Sequence, residues 1–417
     1  MAEATAGSRA LTGRQIAAVA AGNGLEFYDF VTYSFFAVQI GRTLFPGDAA
    51  HSLMLSLATF GVGFVSRPAG AFVIGRLADR RGRKPAMILS FALMGVAIVG
   101  LALTPSYAVA GMAAPALAVL FRLLQGFALG GEVGPNAAFL LEAAPPHRRG
   151  LILSLHFATA DAAVLIAGLV GLTLSNLLTA AELDAWGWRV AFLLGALIVP
   201  FGLALRRTLA ETLPAEAAEP APKGSLRPFL VVATGGMLIL GAGTISNYTL
   251  SYLTTYAQVT LNMAVTTAFG ATVMLGLTGV VGGLAAGWLS DRFGRKRVLV
   301  APWLALIALA LPAFFLLSAL RTPAALLGAT TLLSLLHIFG STAAMLLFIE
   351  ALPARIRAGA LGLIYALAIA AFGGTTQLVV KTLIEWTGSP LVPAWYMMAA
   401  VVAGLIGALL IREPART

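Results

Sequence analysis

Twelve apolar runs, each long enough to cross a hydrocarbon layer as a helix, follow one another along this chain with short polar breaks between them. They lie at 15–44, 50–77, 85–107, 111–143, 148–179 and 186–207, then at 227–257, 265–290, 297–319, 323–351, 357–385 and 391–412. A helix needs about 20 apolar residues to span a bilayer core. Lipid leaves backbone N–H and C=O groups no partner outside a helix or a closed barrel. Composition agrees: 59% of residues are hydrophobic and 11% charged, against roughly 25% charged in soluble domains. An ordinary water-soluble enzyme is excluded. The expected fold is an all-α membrane protein of twelve transmembrane helices in two six-helix bundles, 1–207 and 227–417, joined by a cytoplasmic Pro/Glu/Ala-rich linker at 208–226.

The net charge of +10 fits a basic face held on one side of a membrane better than a nucleic-acid partner. With the N-terminus inside, the 27 Lys and Arg divide as 21 cytoplasmic, four external (Arg42, Arg189, Arg321, Lys381) and two within the membrane (Arg67, Arg122). The positive-inside rule therefore places both termini in the cytoplasm. The first apolar run continues into a helix carrying Glu26 and Asp29, unlike a cleavable signal. No cysteine is present, which removes disulfide, thiolate and iron–sulfur chemistry. HExxH and GxSxG are also absent, so no catalytic or metal-ligating constellation is expected, and no cofactor.

The halves repeat. GRLADRRGRK at 75–84 recurs as GWLSDRFGRK at 287–296, and EAAPPHRRG at 142–150 recurs as EALPARIRAG at 350–359. Two motifs at nearly one offset argue for a duplicated six-helix unit, whose substrate site lies at the midplane between halves. Physically, Gly82 and Gly294 permit tight reversals. Asp79 and Asp291 can accept hydrogen bonds from a neighbouring helix N-terminus and from adjacent arginines.

This loop, with Gly75, Asp79, Arg80 and Arg83 in the first copy and Asp291, Arg292 and Arg295 in the second, resembles the signature of the major facilitator superfamily. GNGLEFYDF, FGVGFVSRPAGA, FRLLQGFALGGEVG and WGWRVAFLLG resemble the metabolite:proton symporter family within it. NYTLSYLTTYAQ and the segment around EALPARIRAGALG make citrate and tricarballylate symporters the most similar members. The resemblance covers essentially the whole chain. It implies a bacterial inner-membrane carrier of small carboxylates driven by protons or sometimes sodium, working as a monomer, with the repeated loop as a conformational lock. Osmolyte relatives often carry a long C-terminal coiled coil, whereas this chain stops at Thr417, soon after the twelfth run.

Ionisable groups deep in the apolar runs are the other signal: Glu26, Asp29, Arg67, Arg122, Glu132, His156, Asp161 and His337. A charge at a helix centre costs roughly 2.5–3.5 kcal/mol, so the four acids and two arginines require pairing, hydration or protonation. Asp29, Glu132, Glu26 and Asp161 are the candidate proton carriers. Glu26 and Asp29, three apart, share a helix face. Arg122 and Arg67 offer forks that can grip a carboxylate with paired hydrogen bonds, with interhelical ion pairing as the structural alternative, including Arg67 with Glu132 or Asp29. His156 can titrate near neutral pH. Asn247, Tyr248 and Tyr252 line a hydroxyl-bearing face of helix 7, and Ser341 and Gln377 can line the other half. GGTTQ at 373–377 is expected to break helix 11. Lys381 near a helix end suits snorkelling to the interface.

The sequence thus points to proton-coupled uptake of a di- or tricarboxylate such as citrate. A monocarboxylate or zwitterion symporter is the alternative that Asp161 favours, and sodium coupling is another. Drug antiport is disfavoured because 150–176 contains no proline. The cysteine-free chain makes the topology testable. Ser225→Cys in the linker should label in intact cells only with a membrane-permeant thiol reagent, and Ser106→Cys with an impermeant one. The reverse pattern would invert the orientation.

Overall fold

The computed structural model describes residues 24, 27–81, 83–130, 146–208, 227–353 and 357–413. Most of the expected linker (209–226) lies outside these residues, as do Glu26 and Glu132 and the side chains of Asp79, Arg80 and Arg83. The described residues are helical almost throughout. Twelve long helical runs appear: α1 (27–44), α2 (49–81, with a turn at Ser66), α3 (Arg83–Leu103), α4 (Ala113–Leu129), α5 (Arg149–Leu177) and α6 (Trp188–Thr208). The second set comprises α7 (227–259, with a turn at Tyr252), α8 (Val265–Phe293), α9 (Arg295–Leu320), α10 (Pro323–Ala351), α11 (357–387) and α12 (Val392–Leu410). Among the described residues, eight helices are long and apolar enough to cross a membrane.

Local chemistry sets several boundaries. Thr322 accepts from the backbone N–H of Ala325 to cap α10, with Pro323 in its first turn. Gly294 joins α8 to α9 at φ +99, a conformation that strains any side chain. A π-helical turn at Ile369–Gly373 interrupts α11 immediately before Gly374. The irregularity thus ends at the first residue of GGTTQ, and the other four continue in regular α-helix.

The two bundles meet along glycine-lined seams. In the α5/α8 seam, a Cβ on Gly150 would lie 2.7 Å from Asp291 Oδ1, and one on Gly168 would lie 2.8 Å from the Val273 backbone nitrogen. The α2/α11 seam brings Gly61 against the carbonyl of Gly374. Small residues allow this approach, and dispersion across close backbones holds it. Polar contacts cross at the end remote from the repeated loop. Gln39 Nε2 donates to Gln258 Oε1 at 3.2 Å, and Gln377 Nε2 donates to Ser34 Oγ at 2.6 Å. The rings of Phe36 and Phe269 lie 4.8 Å apart.

At the motif end, Asp291 does what its position suggested. Its two oxygens accept from the N–H groups of Gly150 and Leu151, at 2.8 and 3.0 Å, at the first turn of α5. This pairs an anion with the positive end of a helix dipole. Arg295 donates to Asp291 at 2.8 Å and grips Glu350 through Nε and Nη2, at 3.1 and 2.8 Å. α5 is thereby tied to α8, α9 and α10. Arg292 instead lies near the rings of Trp288 and Phe293, and Gly75 has no heavy atom within 4 Å of its Cβ position.

Removing one partner of a buried ion pair costs about 3–5 kcal/mol, because the other charge is left uncompensated. The Arg295 side chain is only 10% exposed, so Arg295→Ala should lower the unfolding midpoint markedly, and Arg295→Lys, keeping one ion pair, should recover part of the loss. An unchanged midpoint in Arg295→Ala would show that the network does not hold the bundles together.

Candidate functional site

The charged centre is built on three helices of the first bundle. Asp29 and Phe30 come from α1, Phe60, Phe64 and Arg67 from α2, and Arg122 with Gln125 from α4. Arg122 and Gln125, three apart, share a face of α4. Arg122 Nη1 donates to Gln125 Oε1 at 2.7 Å, and Gln125 Nε2 donates to Asp29 Oδ2. Arg122 Nη2 donates to the Phe60 carbonyl at 3.3 Å. A buried relay thus links the acid of α1 to the arginine of α4 through a neutral amide.

Both guanidinium groups also rest on aromatic rings. Arg122 lies 4.5 Å from the Phe30 and Tyr33 ring centres and 5.1 Å from that of Phe60. Arg67 lies 4.6 Å from Phe30 and 4.5 Å from Phe64. Phe30 therefore carries both cations. A desolvated cation–π contact contributes about 2 kcal/mol or more, comparable to the roughly 2.5–3.5 kcal/mol insertion cost of one arginine. This corrects the expectation drawn from charge cost alone: aromatic faces, besides acids, water or protons, keep these arginines in the membrane. Among the described residues neither arginine forms an ion pair, and the Nε of each lacks a hydrogen-bond partner, as does Asp29 Oδ1.

The second bundle packs aromatic side chains against this centre. Tyr248 of α7 packs edge-on against Phe60 and Phe64 at 5.8 and 5.5 Å. Tyr365 of α11 packs against the same aromatic cluster. Asp29, Arg67, Arg122 and Tyr248 are thus brought together as the sequence suggested. Both arginines are buried, Arg122 completely at 0% exposed and Arg67 at 7%.

Other candidates fall elsewhere. Gln377 is committed to Ser34 across the bundles. Tyr252 is buried in the second bundle's core, its hydroxyl without a hydrogen-bond partner among the described residues, beside Tyr256, whose hydroxyl donates to the Pro390 carbonyl. Asn247 is exposed on α7. Ser341 lies 3.1 Å from His337 Nδ1 and near Gly243 of α7. His156 is buried on α5, its ring 5.5 Å from that of Phe157. Asp161 sits in the α5/α8 seam. Lys381 is not a snorkelling residue: it is 6% exposed and pairs with Glu385 at 2.8 Å, because its position on α11 faces protein rather than lipid.

Sequence reasoning missed Gln125, Phe30, Phe60, Phe64 and Tyr365. The available signals were the i,i+3 spacing of Gln125 from Arg122 and the i,i+4 spacing of Phe60 and Phe64. If one ring serves both cations, Phe30→Leu should destabilise the protein more than Phe36→Leu, by about 1–3 kcal/mol. That difference should shrink when Arg67 is also replaced by Met. Equal losses in the two single variants would contradict the shared-ring arrangement.

The comparisons agree with this architecture. The chain matches the Major Facilitator Superfamily over residues 19–376. It is 35% identical over 397 residues to a citrate-proton symporter of Klebsiella pneumoniae, covering 93% of this chain and 89% of the relative. It is 33% identical over 404 residues to an alpha-ketoglutarate permease of Escherichia coli, covering 95% and 93%. Identity to a proline/betaine transporter of Salmonella typhimurium is 31% over 425 residues, covering 96% and 84%. Among solved structures, a D-xylose-proton symporter superposes with a TM-score of 0.77 at 19% identity, covering 96% of this chain and 98% of the other. The chain belongs to the Major Facilitator Superfamily, a family of multi-pass membrane transporters.

Proposed function

We propose that this protein takes up a di- or tricarboxylate such as citrate together with protons, by alternating access, across a bacterial cytoplasmic membrane with both termini in the cytoplasm. One observation carries the reading. Two buried guanidinium groups share the Phe30 ring, while a single described carboxylate, Asp29, reaches either of them, and only through Gln125. The centre therefore carries excess positive charge among its described residues, complementary to an anion.

In this scheme Arg67 receives a substrate carboxylate, with Tyr248 and Tyr365 contributing from the second bundle. Arg122 acts behind it. While Asp29 is ionised, the charge of Arg122 is offset through Gln125. A proton on Asp29 removes that offset and raises the positive potential at the shared ring, so anion binding is favoured. By linkage, bound anion equally favours the proton. Neither ligand alone leaves the centre neutral enough to close, which couples their movement. The citrate and alpha-ketoglutarate relatives fit this chemistry. A quaternary ammonium such as betaine fits less well, because rings that could hold it already carry Arg67 and Arg122.

Two outcomes test the scheme in proteoliposomes. Arg67→Ala should weaken citrate binding by roughly thirty-fold or more, the cost of about 2–5 kcal/mol for removing one partner of a buried charge pair. Unchanged affinity would remove Arg67 from the site. In the parent protein affinity should rise as pH falls through the titration of Asp29, whose neutral form is the binding-competent one. Asp29→Asn should hold a high affinity that no longer follows the titration at position 29 and should accumulate substrate less steeply on a proton gradient. Undiminished proton-driven accumulation in Asp29→Asn would sink the coupling role.

A further inference from the structure

Asp161 is a charged residue of the membrane interior that the scheme above does not use. It projects from α5 of the first bundle onto the backbone of α8 in the second. A Cβ placed on Gly279 would fall 2.6 Å from its Oδ1, so its carboxyl lies where any side chain at 279 would have to go. One turn along α8, the Cβ position of Gly283 is 4.0 Å from Asp161 Oδ2 and 4.0 Å from Thr342 Oγ1 of α10. Among the described residues no hydrogen bond or ion pair reaches the Asp161 carboxylate, which is half-buried in the seam. The nearest helix-8 hydroxyl, Thr278, is taken by its own backbone and by Ser334.

We propose that Asp161 is a second proton-binding site, filled when α5 and α8 are packed and emptied when that seam opens to water. A bare carboxylate on a glycine floor has no compensating charge, whereas the neutral acid can donate one hydrogen bond and pack. Titratable neighbours are few. α8 bears no ionisable side chain between 265 and 290, α6 none between 190 and 205, and α10 only His337 before Glu350. His337 bonds Ser341, and His156 is the neighbour on α5 itself. On the α1 side stand Asp29, engaged with Gln125, and Glu26, outside the described residues.

The inference deepens the symport reading and rests on it for its consequence. One proton on Asp29 leaves a dicarboxylate carrying net negative charge inward, against the membrane potential. A second proton on Asp161 makes that step electroneutral.

Infrared difference spectroscopy of the full chain in sodium-free bilayers, titrated from acid to alkaline pH without substrate, tests the site apart from the cargo. Carboxyl C=O stretches are distinct from imidazole bands, so His156 and His337 do not interfere. One protonated-carboxyl band should be lost in Asp161→Asn and retained in Asp29→Asn. Gly279→Ala keeps the acid but displaces it from its floor, and should shift that same band. Spectra unchanged in both seam variants would overturn the proposal, as would a band that disappears on adding sodium at constant pH. In proteoliposomes the proton-to-dicarboxylate ratio should fall by one in Asp161→Asn, and an unchanged ratio would also overturn it. If the infrared bands behave as stated and no carboxylate is carried, the proton site stands and the cargo assignment fails.

Discussion

Two arginines share one benzene ring in the middle of a membrane protein, and much of the molecule is arranged to make that tolerable. Phe30 holds both cations, and Tyr33, Phe60 and Phe64 take up further contacts with them. Gln125 passes one charge on to Asp29 without an ion pair. The glycines of α2, α4 and α11 bring backbones close enough to seal this cluster. A Cβ on Gly63 would meet the Arg122 carbonyl at 3.1 Å, and the second bundle abuts at Gly61 and Gly374. Aromatic faces stabilise a guanidinium without neutralising it. The positive potential at this centre is therefore kept rather than cancelled.

The bundles are held differently at their two ends. Next to the repeated loop, charge does the work, through Asp291 on the first turn of α5 and Arg295 between Asp291 and Glu350. At the opposite end neutral amides, a hydroxyl and two phenylalanine rings meet. Neutral contacts exchange with water at small net cost, since an ordinary hydrogen bond contributes only about 0.5–1.5 kcal/mol. A desolvated, dipole-assisted charge network is costlier to part. Such an asymmetry suits a carrier that must release each end in turn.

Much of the fold could be read from residues alone, because lipid admits so few backbone solutions. Helix positions followed from apolar runs, and the repeated loop marked Asp291 as an acceptor for a helix start and a nearby arginine, although the helix it meets, α5, is remote in sequence. GGTTQ marked the neighbourhood of the π turn, which ends at its first residue. The site was legible in its charges and not in its neutral parts. Arg122, Arg67 and Asp29 announce themselves by their cost in an apolar run, whereas Phe30, Phe60 and Phe64 look like any lipid-facing or core phenylalanine until the fold turns their faces to a cation. Lys381 was misjudged for a related reason: a sequence shows how near a residue lies to a helix end, and not whether that face meets lipid or protein.

The central claim is that a proton and an anion bind to one centre because each compensates what the other leaves unbalanced. Calorimetric titration of citrate into the purified protein, in several buffers of different ionisation enthalpy at one alkaline pH, measures that linkage directly. The account predicts net proton uptake on binding, visible as a heat that varies with the buffer and abolished by Asp29→Asn. Binding with a heat independent of the buffer would contradict it.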